Sequence, residues 1–407
     1  MPHELYEYLI QTHDTKFKAW LFEREAIFPF LLSTLEFGST FKIYLIDHYS
    51  AKMPLFLDYY SARHKVQVNF IPTAVLDSQT VSLLVQYVES PNSLQEEKIK
   101  AVRSLITNFI FRGLDYNPCF YYMESVVRNK NKVISDYTFR SAKAMITLHS
   151  MDVSTFLQNG SVVIDERILQ LYKDKYSCNT IEEVAYYNSQ EVLQERNIFL
   201  LDNLVDVTYL LLLKMALIRK RSGKGVIKKA AEFRDFMLNE FDVYFAREHQ
   251  ISWFYFSDLL DKFIPLQRNY KYPGILTKIR ATAWDVLLLR LPEMMLSQGS
   301  PSEAVVPYVC SSEKSIKFLG DFFQLASLYT VPPYYHMVSS FTMNLSTLQA
   351  KIGTKSLDKL VKENHIWQEE RQKKHTSGGL SPKDIAPKRI AELIQHLEDE
   401  VKLFCGS

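Results

Sequence analysis

In the stretch NFIPTAVLDSQTVSLLVQYV, Asn69 to Val88, an apolar run of strand length ends on Asp77 and passes directly into helical spacing. Val68, Phe70, Ile71, Val75 and Leu76 fit a buried strand, and Val81, Leu84, Val85 and Val88 then line one face of a helix. A strand that feeds a helix through one polar turn is a building unit of α/β sheets. The same switch recurs far along the chain. Val305 to Cys310 is strand-like, Ser311 to Lys314 is a polar turn, and Ile316, Phe318, Leu319, Phe322 and Phe323 resume a helical face.

The chain around the two switches reads as mostly helical. Residues 133–270 keep helical periodicity almost throughout, with breaks at Asn159–Gly160, Ser177–Thr180 and Ser222–Gly225. SLQEEKIKAVRSLITNFIFR and NPCFYYMESVVR predict two helices parted by GLDYNP, and LTKIRATAWDVLLLRLPEMML predicts another. The opening stretch HELYEYLIQTHDTKFKAWLFEREAIFPFLLSTLEF mixes spacings of three and four and favours helices, whereas FKIYLIDHYS suits a short strand. The expected architecture is α/β, a small and mostly parallel sheet with a large α-helical insertion and a helical C-terminal tail. Residues 1–65 would pack on a core made of 66–130 and 275–330. Residues 131–274 would form the insertion and 331–407 the tail, with a flexible segment near 374–384.

Composition enters where it narrows function. Of 407 residues, 47% are hydrophobic and 13% aromatic, with 12 Gly and 15 Pro, which describes an ordered chain with a sizeable core. A net charge of +2 gives no bulk attraction to nucleic acid, so any such footprint must be local. Two runs qualify: RNKNK, with Arg128, Lys130 and Lys132, and RKRSGKGVIKK, with Arg219, Lys220, Arg221, Lys224 and Lys228. Each also reads as a solvated helix end, where cations complement the helix dipole.

Cys119, Cys178, Cys310 and Cys405 show no CxxC spacing and suit reduced thiols in a cytoplasmic protein. No signal peptide is legible, and Asn197 to Ile218 carries Asp202, Asp206 and Lys214, so a buried helix is expected there and not a membrane span.

The acids are the candidates for chemistry. Asp77 could simply cap the helix after it, or it could sit where open α/β sheets place their sites. Glu124 in FYYMESVVR and Asp285 in TAWDVLLLR are each flanked by apolar residues, and Glu313 follows the second strand. A carboxylate buried alone is costly, and a salt bridge, a proton or a shared cation relieves that cost. Hard oxygen ligands suit Mg²⁺ or Mn²⁺.

TAVLDSQTVSLLVQYV, AWDVLLLR and YVCSSEKSI together resemble the motifs of PIN-domain nucleases, over residues 66–130 and 275–325. The resemblance implies that Asp77, Glu124 and Asp285 fill the first three acidic positions, and that Ser311 with Glu313 fills the fourth. Glu313 stands where the family usually has aspartate, and Asp115, Asp202 and Asp206 are alternatives to Glu124. It further implies a PIN-like fold and a metal-dependent endonuclease using Mg²⁺ or Mn²⁺, with RNA a likelier substrate than DNA and a toxin or defence role by analogy.

A reading of another class remains beside it: an inactive PIN-like scaffold whose helical insertion or tail docks a protein partner or a second copy of the chain. No P-loop, GxSxG, HExxH or GxGxxG motif is present. RQKKH, Arg371 to His375, is a poor candidate for an Arg/His ribonuclease pair. The stripe SWFYF, Ser252 to Phe256, fits core better than a base-stacking platform.

Overall fold

The computed structural model describes residues 14–63, 68–128, 135–192, 195–241, 243–266, 274–296, 303–331, 336–376 and 387–406, with isolated positions outside these ranges. The chain runs β1 (Lys18–Glu25), β2 (Leu35–Phe37), β3 (Ile43–Ile46), β4 (Lys52–Asp58), α1 (Tyr59–Arg63), β5 (Asn69–Leu76), α2 (Ser78–Glu89), α3 (Glu96–Arg112), β6 (Asp115–Asn117) and α4 (Cys119–Arg128). A helical interval follows: α5 (Asp136–His149), α6 (Val153–Asn159), α7 (Glu166–Tyr176), α8 (Ile181–Val192), α9 (Glu195–Arg221), α10 (Val226–Phe241), α11 (Ala246–Phe256), α12 (Gly274–Leu288) and α13 (Leu291–Leu296). The remainder is β7 (Glu303–Ser311), α14 (Lys314–Phe322), β8 (Phe323–Val331), β9 (His336–Met343), α15 (Ser346–Ile352), α16 (Thr354–Thr376) and α17 (Pro387–Gly406). The fold is thus mixed α/β.

Contacts divide the chain into two units. The first comprises Met1–Leu201, Leu288–Tyr329 and Ser339–Phe341, and the second comprises Asp202–Leu287, Thr330–Val338 and Thr342–Ser407. The first unit carries the five-stranded sheet, in the order β2-β3-β7-β5-β6. Its centre is parallel: β5 pairs with β7 from Asn69↔Glu303 to Leu76↔Cys310, and with β6 from Thr73↔Asp115 to Val75↔Asn117. The pairs β2–β3 and β3–β7 are antiparallel. The C-terminal halves of β5 and β7 are continuously buried, as expected for parallel strands covered on both faces. Helices α2 and α3 connect β5 to β6, and Gly113 ends α3 in the left-handed conformation at φ 58° that a Cβ would disfavour.

The other sheet, β4-β1-β8-β9, corrects the helical reading of the opening stretch. β1 pairs antiparallel with β4 from Lys18↔Asp58 and with β8 from Ala19↔Tyr329. Ala19, Trp20, Leu21 and Phe22 are buried in succession, so the apolar run carries no alternation to separate strand from helix. The segment around β9 is likewise strand where a helical tail was expected.

The helical interval breaks where the sequence has its polar punctuation. Gly160 caps α6 at φ 80°, Ser177 caps α7 at φ 53°, and residues 222–225 part α9 from α10. In the second unit, Leu210 to Leu213 and Met215 to Leu217 of α9 are buried on every side. Trp253 and Tyr255 of α11 are fully buried, which places the aromatic stripe in the core. Among the described residues no helix is long and apolar enough to cross a membrane.

Candidate active site at the parallel strand edge

The C-terminal ends of β5 and β7 lie side by side, and each strand turns at once into a helix. Asp77 is the N-cap of α2. Its extended backbone, at φ −74° and ψ 169°, lets Oδ1 accept the Thr80 N–H at 2.6 Å. The other carboxylate oxygen, Oδ2, accepts the Ser311 hydroxyl at 2.5 Å, across 234 positions of sequence. Ser311 Oγ in turn accepts the Glu313 N–H at 3.0 Å. The Asp77 N–H donates to the Cys310 carbonyl at 3.0 Å, which extends the strand pairing into the turn. Asp77 is therefore a cap and also a member of a cross-strand cluster.

Electrostatics at this edge are unfavourable for ionised acids. Asp77 is only 6% exposed, and burial raises its carboxyl above the usual range against the hydrogen bonds from Ser311 and Thr80. The Glu313 charge adds to the rise. Glu124 lies on α4, which packs on β5, and is 4% exposed. Burial pushes its carboxyl up from the ordinary 4.5 to about 7; Arg128 opposes the shift and the Asp77 charge reinforces it. The Arg128 guanidinium sits 2.7 Å from Glu124 Oε1, one helical turn on. Glu313 starts α14 without capping it, and its carboxylate accepts the Gln79 side-chain amide.

The first unit thus brings together Asp77, Ser311 and Glu313, with Glu124 close enough to feel Asp77. Asp285 belongs to the second unit, half-buried on α12 between buried Trp284 and Val286. Of the alternatives to Glu124, Asp115 is exposed on β6 and lies 3.4 Å from His149, while Asp206 pairs with Arg280 at 2.6 Å within the second unit. Among the described residues no three of His, Cys, Asp and Glu gather at metal-binding spacing. The donor chemistry at the edge is nonetheless all oxygen, and its two raised carboxyls are groups that a hard cation would relieve.

The basic candidates divide. Arg128 is committed to Glu124, and Lys130 and Lys132 lie outside the described residues. In the second unit Arg219 bonds Asp258 at 2.6 Å and stacks over Tyr255, Arg221 pairs with Glu400, and Lys224 pairs with Glu232 at 3.1 Å. Lys220 is lowered by burial, and Lys228 is exposed.

Two participants were not singled out in the sequence. Thr80 is fully buried and holds Asp77 through its N–H, a role signalled by its place three residues after the cap. Gln79 accepts the Ser312 hydroxyl at 2.7 Å and donates to Glu313, and nothing in the sequence marks it. Comparisons with known proteins leave the site to its own geometry: no family model matches the chain, and no curated protein and no solved structure matches it significantly.

Proposed function

We propose that the edge formed by Asp77, Glu124, Ser311 and Glu313 is the hydrolytic site of a PIN-like, metal-dependent nuclease acting on RNA in preference to DNA. The observation that carries this reading is the Asp77–Ser311 bond. It joins the ends of two parallel strands beside a second buried acid, at the carboxyl edge of the strands, outside which open α/β sheets bind ligands. Asp77, Glu124 and Glu313 would hold Mg²⁺ or Mn²⁺. Such an ion, when bound, activates water and stabilises charge on a phosphodiester.

The chain's own groups prepare that edge. Ser311 and the Thr80 N–H fix both oxygens of Asp77, so its carboxylate is oriented before any ligand arrives. Arg128 keeps Glu124 partly ionised against its burial.

The test is cleavage of labelled single-stranded RNA and DNA with and without Mg²⁺ or Mn²⁺, comparing the wild type with Asp77→Asn and Asp285→Asn. Metal-dependent RNA cleavage that falls at least about a hundredfold in Asp77→Asn supports the site. Cleavage that survives Asp77→Asn overturns it, and a loss in Asp285→Asn would bring that residue into the mechanism.

One observation favours a second reading. Glu124 already has a cation in Arg128, as a purely structural acid would. The chain is then an inactive scaffold that docks a protein partner, and the wild type cleaves neither nucleic acid under any metal.

A further inference from the structure

The second unit contains a wide-open cleft of about 540 Å³ between α9 and α10. Lys214 enters it from α9, half-buried in an otherwise apolar stretch, with its ammonium 4.8 Å from the centre of the Phe236 ring. Lys224 and Lys228 line it from the loop and the first turn of α10.

The same walls carry Glu232, Asp235 and Glu240, which would suggest a neutral cleft. Their partners show otherwise. Glu232 is paired by Lys224 at 3.1 Å, Asp235 by Arg234 at 2.9 Å, and Glu240 by Arg389. Two of the three carboxylates thus face arginines that do not line the cleft, Arg234 being shared with Glu363 and Arg389 with Glu392. Lys214 and Lys228 are left with no carboxylate at ion-pair distance among the described residues. A half-buried ammonium held against an aromatic ring is costly to desolvate, and a bound anion would offset that cost.

We propose that this cleft binds the phosphate groups of nucleotides, either free or joined in a strand. Lysine acts on phosphate as a point charge from a flexible stem, so Lys214 and Lys228 can converge on one phosphoryl group or bridge neighbouring ones. Phe236 gives the cleft an aromatic wall, and a nucleobase is the natural companion of phosphate on such a wall. The inference rests on residues of the second unit alone and holds whether or not the acidic edge cleaves.

The test uses the full chain in EDTA, so that no metal-dependent cleavage consumes the probe. Fluorescence anisotropy reads binding of a labelled ten-nucleotide oligouridylate, and of a labelled uridine triphosphate in a separate arm. The wild type is expected to bind at low salt. Lys214→Gln/Lys228→Gln should weaken binding by about tenfold or more, and the double arginine variant should retain it. The exposed single variant Lys228→Glu guards against misfolding and should weaken binding in the same direction.

Binding of the strand alone assigns the site to polynucleotide phosphates, and binding of both probes assigns it to nucleotides in general. Failure of the wild type to bind either probe overturns the proposal, as does wild-type affinity in Lys214→Gln/Lys228→Gln. Cleavage by Lys214→Gln/Lys228→Gln, assayed separately in Mg²⁺, separates failure here from failure of the nuclease reading.

Discussion

Two sets of acids, one in each unit, are held in different ways. In the second unit the half-buried Asp206, Glu363, Glu400 and Glu240 each meet an arginine, Arg280, Arg234, Arg221 and Arg389 in turn, and the exposed Asp258 meets Arg219. In the first unit Asp77 is held by a hydroxyl and an amide, with no cation at ion-pair distance among the described residues. Glu124 has Arg128 and still titrates near 7. Ion pairs hold a structure together with little left over for a ligand. An acid oriented by neutral donors has no resident cation that a ligand must displace.

The largest effect expected from this contrast is a pH dependence owed to Glu124. Its folded carboxyl titrates at about 7 against an ordinary 4.5, so the folded state binds the extra proton. Its contribution is full below about 4.5 and is lost as pH rises through about 7, up to ~3 kcal/mol in metal-free buffer. Denaturant unfolding across that window should show the loss in the wild type and a flatter profile in Glu124→Gln. Parallel profiles would mean that Arg128 compensates Glu124 fully, and the contrast between the units would collapse.

Next in size is Ser311→Ala, which strips the hydroxyl donor from a buried carboxylate and should cost about 1–3 kcal/mol. The cost should shrink in an Asp77→Asn background, and a double-mutant cycle measures the coupling directly. Additive losses would show that the two side chains do not act as a unit.

Asp77→Asn by itself should move stability by less than about 1 kcal/mol at neutral pH, and in the stabilising direction. Asparagine still caps α2, and the substitution removes a buried charge. A large destabilisation would make Asp77 a structural residue of the ordinary kind. Smallest of all is Asp206→Asn in the second unit, where the pair with Arg280 is more than one-third exposed on both sides. It should cost under about 1 kcal/mol and depend on salt, by thermal melts at low and high ionic strength.

The parallel strands β5 and β7 were legible in the sequence because each runs into a helix and the period changes at a polar turn, whereas β6 lies in GLDYNP, which reads only as a break between two helices. Asp77, Ser311 and Glu313 stand out for the same reason: they occupy those turns. The second sheet was not legible, since β1 is buried along Ala19 to Phe22 and its partners, β4 and β8, come from both ends of the chain. β8 begins at Phe323, inside what periodicity reads as one helical face, because a strand that directly follows a helix leaves no punctuation. Gln79 could not be found from sequence either, since an exposed amide at a helix start acquires meaning only when Glu313 and Ser312 are beside it.

The register of β5 on β7 has a consequence for synthesis. Leu76 faces Cys310, so the partner that orients Asp77 is made long after Asp77 itself. During translation Asp77 and its helix emerge first, then the whole helical interval, and the strand carrying Ser311 comes only in the last quarter of the chain. A nascent or truncated product that stops before β7 has the aspartate and its capped helix but not the hydroxyl that aims it. Premature termination before that strand therefore yields a chain without the assembled cluster.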